Sequence, residues 1–200
     1  HIVPIVDYGE FDGQLYLALG YMEGGTLEDK FKQPRSVSYQ ATLKLLKQVA
    51  QALDYAHSQG VIHRDLKLPN ILLDGNNKVY LSDFGIARLI DSTRLTATGH
   101  IAGTPMCMAP EQARGDASGK ATDIYALSVM TYLMLTGFYP FTAEDPMALI
   151  QKHMYETPPL PTMVNPHLPV AVDDILMRGL AKEPDERYGS AMDFVKALYK

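Results

Sequence analysis

The spacing of apolar positions changes several times along this 200-residue chain. Ile2 to Val6 and Leu15 to Leu19 are apolar and partly β-branched, and the turn-rich spacer Asp7 to Gly13 between them predicts an antiparallel hairpin. After the Gly24-Gly25 break, Ser38 is placed to cap a long helix. In it Leu43, Leu46, Val49, Leu53 and Ala56 recur at helical spacing, and Gly60 stands where the helix would end. Val61 to His63, Ile71 to Leu73 and Val79 to Leu81 predict short strands, the last two joined by the turn signal Asp74-Gly75-Asn76-Asn77. From Asp83 to Glu111 the periodicity lapses and Ser, Thr, Gly and Pro accumulate; loops of that length are usually functional. Four helices are then predicted, over Thr122 to Leu135, Pro146 to Tyr155, Val170 to Ala181 and Ser190 to Leu198. A proline-rich connector, Pro158 to Pro169, separates the second from the third, and Glu183-Pro184-Asp185-Glu186 separates the last two. Strands followed by a majority of helix predict a single α+β domain.

Composition narrows the function. Apolar residues make up 46% and charged residues 20% of the chain, which suits a folded core and excludes disordered, collagenous and membrane-spanning classes. The longest apolar-rich run, Ile124 to Leu135, is too short to span a bilayer. With 18 basic and 23 acidic residues the net charge is −5, so no global cationic field exists to hold nucleic acid or an anionic membrane, and neither partner is expected. Cys107 is the single cysteine and cannot form an internal disulfide, which fits a reducing, cytoplasmic compartment. His1 opens an apolar stretch without the charged region or cleavage site of a signal peptide, and the chain is expected to begin inside a larger protein.

Chemistry concentrates in His63-Arg64-Asp65-Leu66-Lys67-Leu68-Pro69-Asn70 and, beyond a strand hairpin, Asp83-Phe84-Gly85. At about one chance in twenty per fixed position, the His, Arg, Asp, Lys and Asn of the first segment coincide by accident in roughly one such chain in ten thousand. These segments resemble the catalytic loop and metal-binding motif of protein kinases, and Ala109-Pro110-Glu111 stands where that family closes its activation segment. The nearest likeness is to bacterial Ser/Thr protein kinases of the eukaryotic type. Asp83 to Arg88, Ala109 to Gly115 and Leu180 to Tyr188 share that character.

The resemblance implies an α+β, protein-kinase-like fold, with residues 1–22 as the last strands of a truncated β-rich small lobe plus hinge, and residues 23–200 as a mostly helical large lobe. It implies transfer of the γ-phosphate of ATP to Ser or Thr hydroxyls of protein substrates, with Mg²⁺ as the ion and Mn²⁺ as its substitute. Phosphoryl transfer asks for a positioned hydroxyl and neutralised charge. Asp65 would accept the hydroxyl proton, Lys67 would reach the γ-phosphate, and Asn70 and Asp83 would supply hard oxygens to the metal. Turn capping alone would account for the two aspartates but not for Lys67 and Asn70 at their offsets. Lys67 at its position is a mark of Ser/Thr-directed members. Leu19, Tyr21 and Met22 would form the hinge, and Leu72 would floor the adenine pocket. Thr104 would dock substrate beside Asp65, and Thr96 and Thr98 are candidate phosphosites that would pair with Arg64. Glu111 and Arg187 would form a buried ion pair, Asp123 would brace the catalytic loop, and His63 and Phe84 would pack rather than react.

Departures from the family pattern are Gly20, Leu68, Cys107 and Ser128, where Glu, Pro, Tyr and Gly are the usual residues. The family's glycine-rich loop, strand Lys and partner Glu have no counterpart before His63, and the first 29 residues contain neither Lys nor Arg. An active kinase represented by a fragment is therefore expected, weak or inactive in isolation. The alternative is a non-catalytic interaction or docking module, which would tolerate decay of the metal ligands. Autophosphorylation in a homodimer, and a parent tethered to the inner membrane face by a segment beyond Lys200, are further implications of the resemblance.

Overall fold

A computed structural model describes residues 1–32, 38–84 and 105–200. Two antiparallel strands open it, β1 (Ile5–Phe11) and β2 (Gln14–Leu19). Their register pairs Phe11 with Gln14, so only Asp12 and Gly13 turn, both at positive φ (52° and 73°) as a two-residue hairpin of the twist-matching type requires. Most of the expected spacer is thus strand. The expected strand from Ile2 shifts instead toward the turn, because Pro4 has no N–H to lend to a ladder. Residues before Pro4 join another element: Val3 N–H donates to the Leu81 carbonyl and Leu81 N–H to the His1 carbonyl, both at 2.9 Å.

Helix α1 (Leu27–Lys32) leads toward the long α2 (Tyr39–Ser58), whose N-terminus is capped by the Ser38 hydroxyl accepting from Ala41 N–H. The predicted stripe of α2 is buried, and Gly60 follows it at φ 75°, the left-handed conformation that ends helices. Val61 to His63 is not a strand. Its backbone is committed elsewhere: Val61 N–H donates to Ala56, and His63 N–H to the Asp123 carboxylate. Strands β3 (Ile71–Leu73) and β4 (Val79–Leu81) pair as expected, Ile71 opposite Leu81, and Asp74 Oδ1 accepts from the Asn76 and Lys78 amides to hold the turn.

Beyond residue 105 come α3 (Pro110–Arg114), α4 (Lys120–Thr136), α5 (Pro146–Tyr155), α6 (Pro161–Val164), α7 (Ala171–Gly179) and α8 (Ala191–Ala197). Helix α3 lies at the end of the segment expected to be irregular, and α6 is a single turn within the proline-rich connector. Helix α4 is buried on almost every side. Its polar Ser128 and Thr131 are tolerated there because their hydroxyls donate back to the Ile124 and Leu127 carbonyls, each at 2.8 Å. The core gathers Leu46, Val49 and Leu53 of α2, Leu127 and Met130 of α4, and Leu176 and Phe194 of α7 and α8. Asp54 joins α2 to α8 by accepting from Ala191 and Met192 N–H at the start of α8. No described helix is long and apolar enough to cross a membrane.

Candidate active site

The loop from His63 to Asn70 is held from below by one carboxylate. Asp123, fully buried at the start of α4, accepts from His63 N–H and Arg64 N–H at 2.8 Å each, and its Oδ2 lies 2.7 Å from His57 Nε2. Those bonds hold Arg64 at φ 67°, a conformation most side chains avoid. Gln112 of α3 adds a bond from above, donating to the Arg64 carbonyl at 2.8 Å while accepting from Ala109 N–H. The His63 ring stacks on Phe84 at 4.6 Å between centroids, and burial lowers its proton affinity, so it is a packed neutral residue rather than an acid or base.

So braced, the loop presents Asp65 and Lys67 to solvent. Their side chains are 38% and 45% exposed and meet at 2.8 Å between Nζ and Oδ2. Asn70 Nδ2 donates to the Asp65 carbonyl at 2.8 Å and to Oδ2 at 3.0 Å, which uses both amide hydrogens and leaves Oδ1 without a hydrogen-bond partner among the described residues. Ser82 ties this group to Asp83. Its N–H donates to the Asn70 carbonyl at 3.0 Å, and its hydroxyl lies 3.2 Å from that carbonyl and 3.1 Å from Asp83 Oδ2. Asp83 itself sits at φ 60° just past β4, so the β3–β4 pairing sets Asn70 and Asp83 side by side. Among the described residues no cluster of three His, Cys, Asp or Glu exists. The donor set is instead two hard oxygens, which fits an ion that takes its remaining ligands from phosphate and water.

Leu19 shares the wall of an apolar cavity of about 370 Å³ with Asp83 and Phe84. Met22 and Leu72 are half-buried, and Tyr21 is 88% exposed. Gly20 answers its departure from the family pattern, because a Cβ there would meet Pro4 Cγ at 2.9 Å. Thr96, Thr98 and Thr104 lie outside the described residues. The Nε of Arg64 is buried without a hydrogen-bond partner among the described residues.

The Glu111–Arg187 pair is formed, almost fully buried, at 2.8 and 2.9 Å. Arg187 also donates to the carbonyls of Ala121, Ala181 and Lys182, so all five of its N–H groups are engaged. Burial by itself would raise the Glu111 carboxyl, but hydrogen bonds from Arg187 and Thr122 outweigh it and the net direction is downward. Sequence reasoning missed His57, Gln112 and Ser82. His57 adjoins the buried stripe of α2 and was absorbed into it; its partner is 66 residues away, a distance that no periodicity reveals.

Comparison with known proteins agrees with this geometry. The protein kinase domain model matches residues 1–199. Serine/threonine-protein kinase PknH of Mycobacterium tuberculosis is 39% identical over the whole chain, which covers 32% of that protein. Serine/threonine-protein kinase PknD of the same species is 40% identical over the whole chain and 30% of the relative, and PrkC of Bacillus subtilis is 36% identical over 96% of the chain and 30% of the relative. The chain thus spans about a third of the length of the curated relatives it matches. Kinases of this family use ATP and a divalent metal in general. With its site geometry and its full-length match in agreement, the chain belongs to the protein kinase domain family.

Proposed function

We propose that this chain is the greater part of a protein Ser/Thr kinase domain that transfers the γ-phosphate of ATP to Ser or Thr hydroxyls of proteins. The observation that carries this is the solvent-accessible Asp65–Lys67 pair with the buried Asn70 bonded behind it, braced by Asp123 and linked through Ser82 to Asp83. Asp65 accepts the proton of the acceptor hydroxyl as its oxygen bonds the γ-phosphorus and the bond to ADP breaks. Lys67, 2.8 Å from Asp65, balances charge on the transferred group and keeps the carboxylate aimed at the hydroxyl. Asn70 Oδ1 and Asp83 would hold Mg²⁺, or Mn²⁺ in its place, which when bound neutralises phosphate charge. Leu19, Tyr21, Met22 and Leu72 border the nucleotide, and Thr104 docks the acceptor.

Residues 1–22 form the end of the small lobe and hinge, and residues 23–200 the large lobe. Thr96 and Thr98 are the phosphosites of the activation segment, where an added phosphate would pair with Arg64. The protein acts in the cytoplasm as part of a longer chain tethered at the membrane, and pairs with a second copy for autophosphorylation. Without a strand Lys and glycine lid, these 200 residues alone are weak or inactive.

The test is phosphate transfer from labelled ATP to Ser/Thr peptides by the full-length protein. Asp65→Asn is expected to cut kcat by about 10²- to 10⁴-fold with its fold intact. Equal turnover by Asp65→Asn refutes the assigned base. A wild-type protein that binds partners without transferring phosphate would be the docking module instead.

A further inference from the structure

The two peptide groups that flank Arg64 are held by different elements. The one before it is held from α4, where Asp123 Oδ1 accepts the Arg64 N–H at 2.8 Å. The one after it, which joins Arg64 to Asp65, is held from α3, where Gln112 Nε2 donates to the Arg64 carbonyl at 2.8 Å. Each peptide is planar, so the first bond governs φ of Arg64 and the second governs ψ. Arg64 sits at φ 67°, and a residue with a Cβ keeps that conformation only where its surroundings impose it. The torsions on either side of the Arg64–Asp65 peptide also set where the Asp65 carboxylate stands, with Lys67 Nζ and Asn70 Nδ2 at 2.8 and 3.0 Å from its Oδ2.

Gln112 is fixed at both ends of its amide. Its Oε1 accepts from Ala109 N–H at 3.0 Å, half of a reciprocal cap on α3, which directs the donor end toward Arg64. The preceding residue, Glu111, anchors the same short helix to Arg187 at 2.8 and 2.9 Å and to Thr122 at 2.8 Å. Capping alone explains the acceptor at position 112, and a carboxylate would serve it equally well; it does not explain the donor on the Arg64 carbonyl. We infer that Gln112 is a positioning residue for phosphoryl transfer: its amide ties the seat of α3 to the peptide bond preceding Asp65 and so holds the carboxylate where the acceptor hydroxyl meets it. The inference rests on the kinase reading above, which makes Asp65 the base.

Full-length Gln112→Glu and Gln112→Ala separate the two bonds. Glutamate keeps an acceptor for Ala109 N–H but, ionised at neutral pH, has no donor for Arg64; alanine removes both. In both variants kcat for a Ser/Thr peptide is expected to fall roughly 10- to 100-fold, with KM for ATP and for peptide within about twofold of wild type. Wild-type kcat in Gln112→Glu reduces the residue to a helix cap and overturns the inference, as does a loss carried by KM alone. Amide exchange is read on the same proteins whether or not phosphate is transferred. The His63 and Arg64 amides, both bonded to Asp123, should exchange several-fold faster in Gln112→Glu, while those of Ala113 and Gly115 in α3 keep their wild-type rates. Unchanged rates at His63 and Arg64, or a rise shared by α3, overturn the link even if the wild-type protein transfers no phosphate and the kinase reading itself has failed.

Discussion

The Arg187 guanidinium supports a prediction whose size follows from its contacts. Truncation in Arg187→Ala leaves the Glu111 carboxylate buried without its charge partner and strips three backbone carbonyls of a donor. Breaking a buried pair by removing one partner costs about 3–5 kcal/mol, and most of that is the stranded charge rather than the worth of the pair. Glu111→Gln keeps the shape and an oxygen for Thr122, whose hydroxyl donates to Oε1 at 2.8 Å, so it should cost less. In Glu111→Gln/Arg187→Ala no charge is stranded, and the double variant should be at least about 2 kcal/mol more stable than the sum of the single changes predicts. Urea unfolding followed by circular dichroism, with unchanged m-values, measures each corner of the cycle. The pH dependence supplies a second reading. Because the folded carboxyl lies below its ordinary value of 4.5, its contribution is complete above that pH and is lost as pH falls through the lowered folded value. Glu111→Gln should remove that acid-side loss. Additivity within about 0.5 kcal/mol, with an unchanged acid limb, would refute the coupling assigned to this pair.

Two further outcomes are expected. Asp123→Asn replaces a carboxylate that serves two backbone amides and faces His57 with a group offering one acceptor oxygen, so the catalytic loop should loosen. Full-length protein should lose roughly 10²-fold in kcat with KM for ATP little changed, and a loss under threefold would show that the loop does not depend on this brace. In Gly179→Ala the new Cβ would lie 2.1 Å from Ser128 Oγ and 2.9 Å from Ser128 Cβ, where α7 crosses α4. Thermal unfolding should report about 1–3 kcal/mol of destabilisation, largely rescued by adding Ser128→Gly; no rescue would locate the strain elsewhere.

Ser128 also illustrates why a single position resists interpretation from sequence. Alone it is a departure from a family pattern; beside Gly179 it is half of a fitted contact, the missing side chain of one helix admitting the hydroxyl of the other. The same holds for Gly20, whose bareness is explained by Pro4.

Local rules determined much of this protein. Helix stripes, the Ser38 cap, the Asp74 to Asn77 turn and the spacing of Asp65, Lys67 and Asn70 all depend on residues a few positions apart, where period and hydrogen-bonding reach decide. Expectations failed where a distant group competed for the same backbone. Val61 to His63 has strand composition, but Asp123, 60 residues on, takes the His63 amide, and Arg64 is turned to positive φ by the neighbouring bond. Strand β1 moved toward its turn because the chain before Pro4 was claimed by Leu81. The chemistry at Asp65 was therefore written in neighbouring residues. What braces it, His57, Asp123 and Gln112 converging from α2, α4 and α3, was decided by tertiary packing, since a hydrogen bond between buried groups is specified only when both ends are delivered to one place.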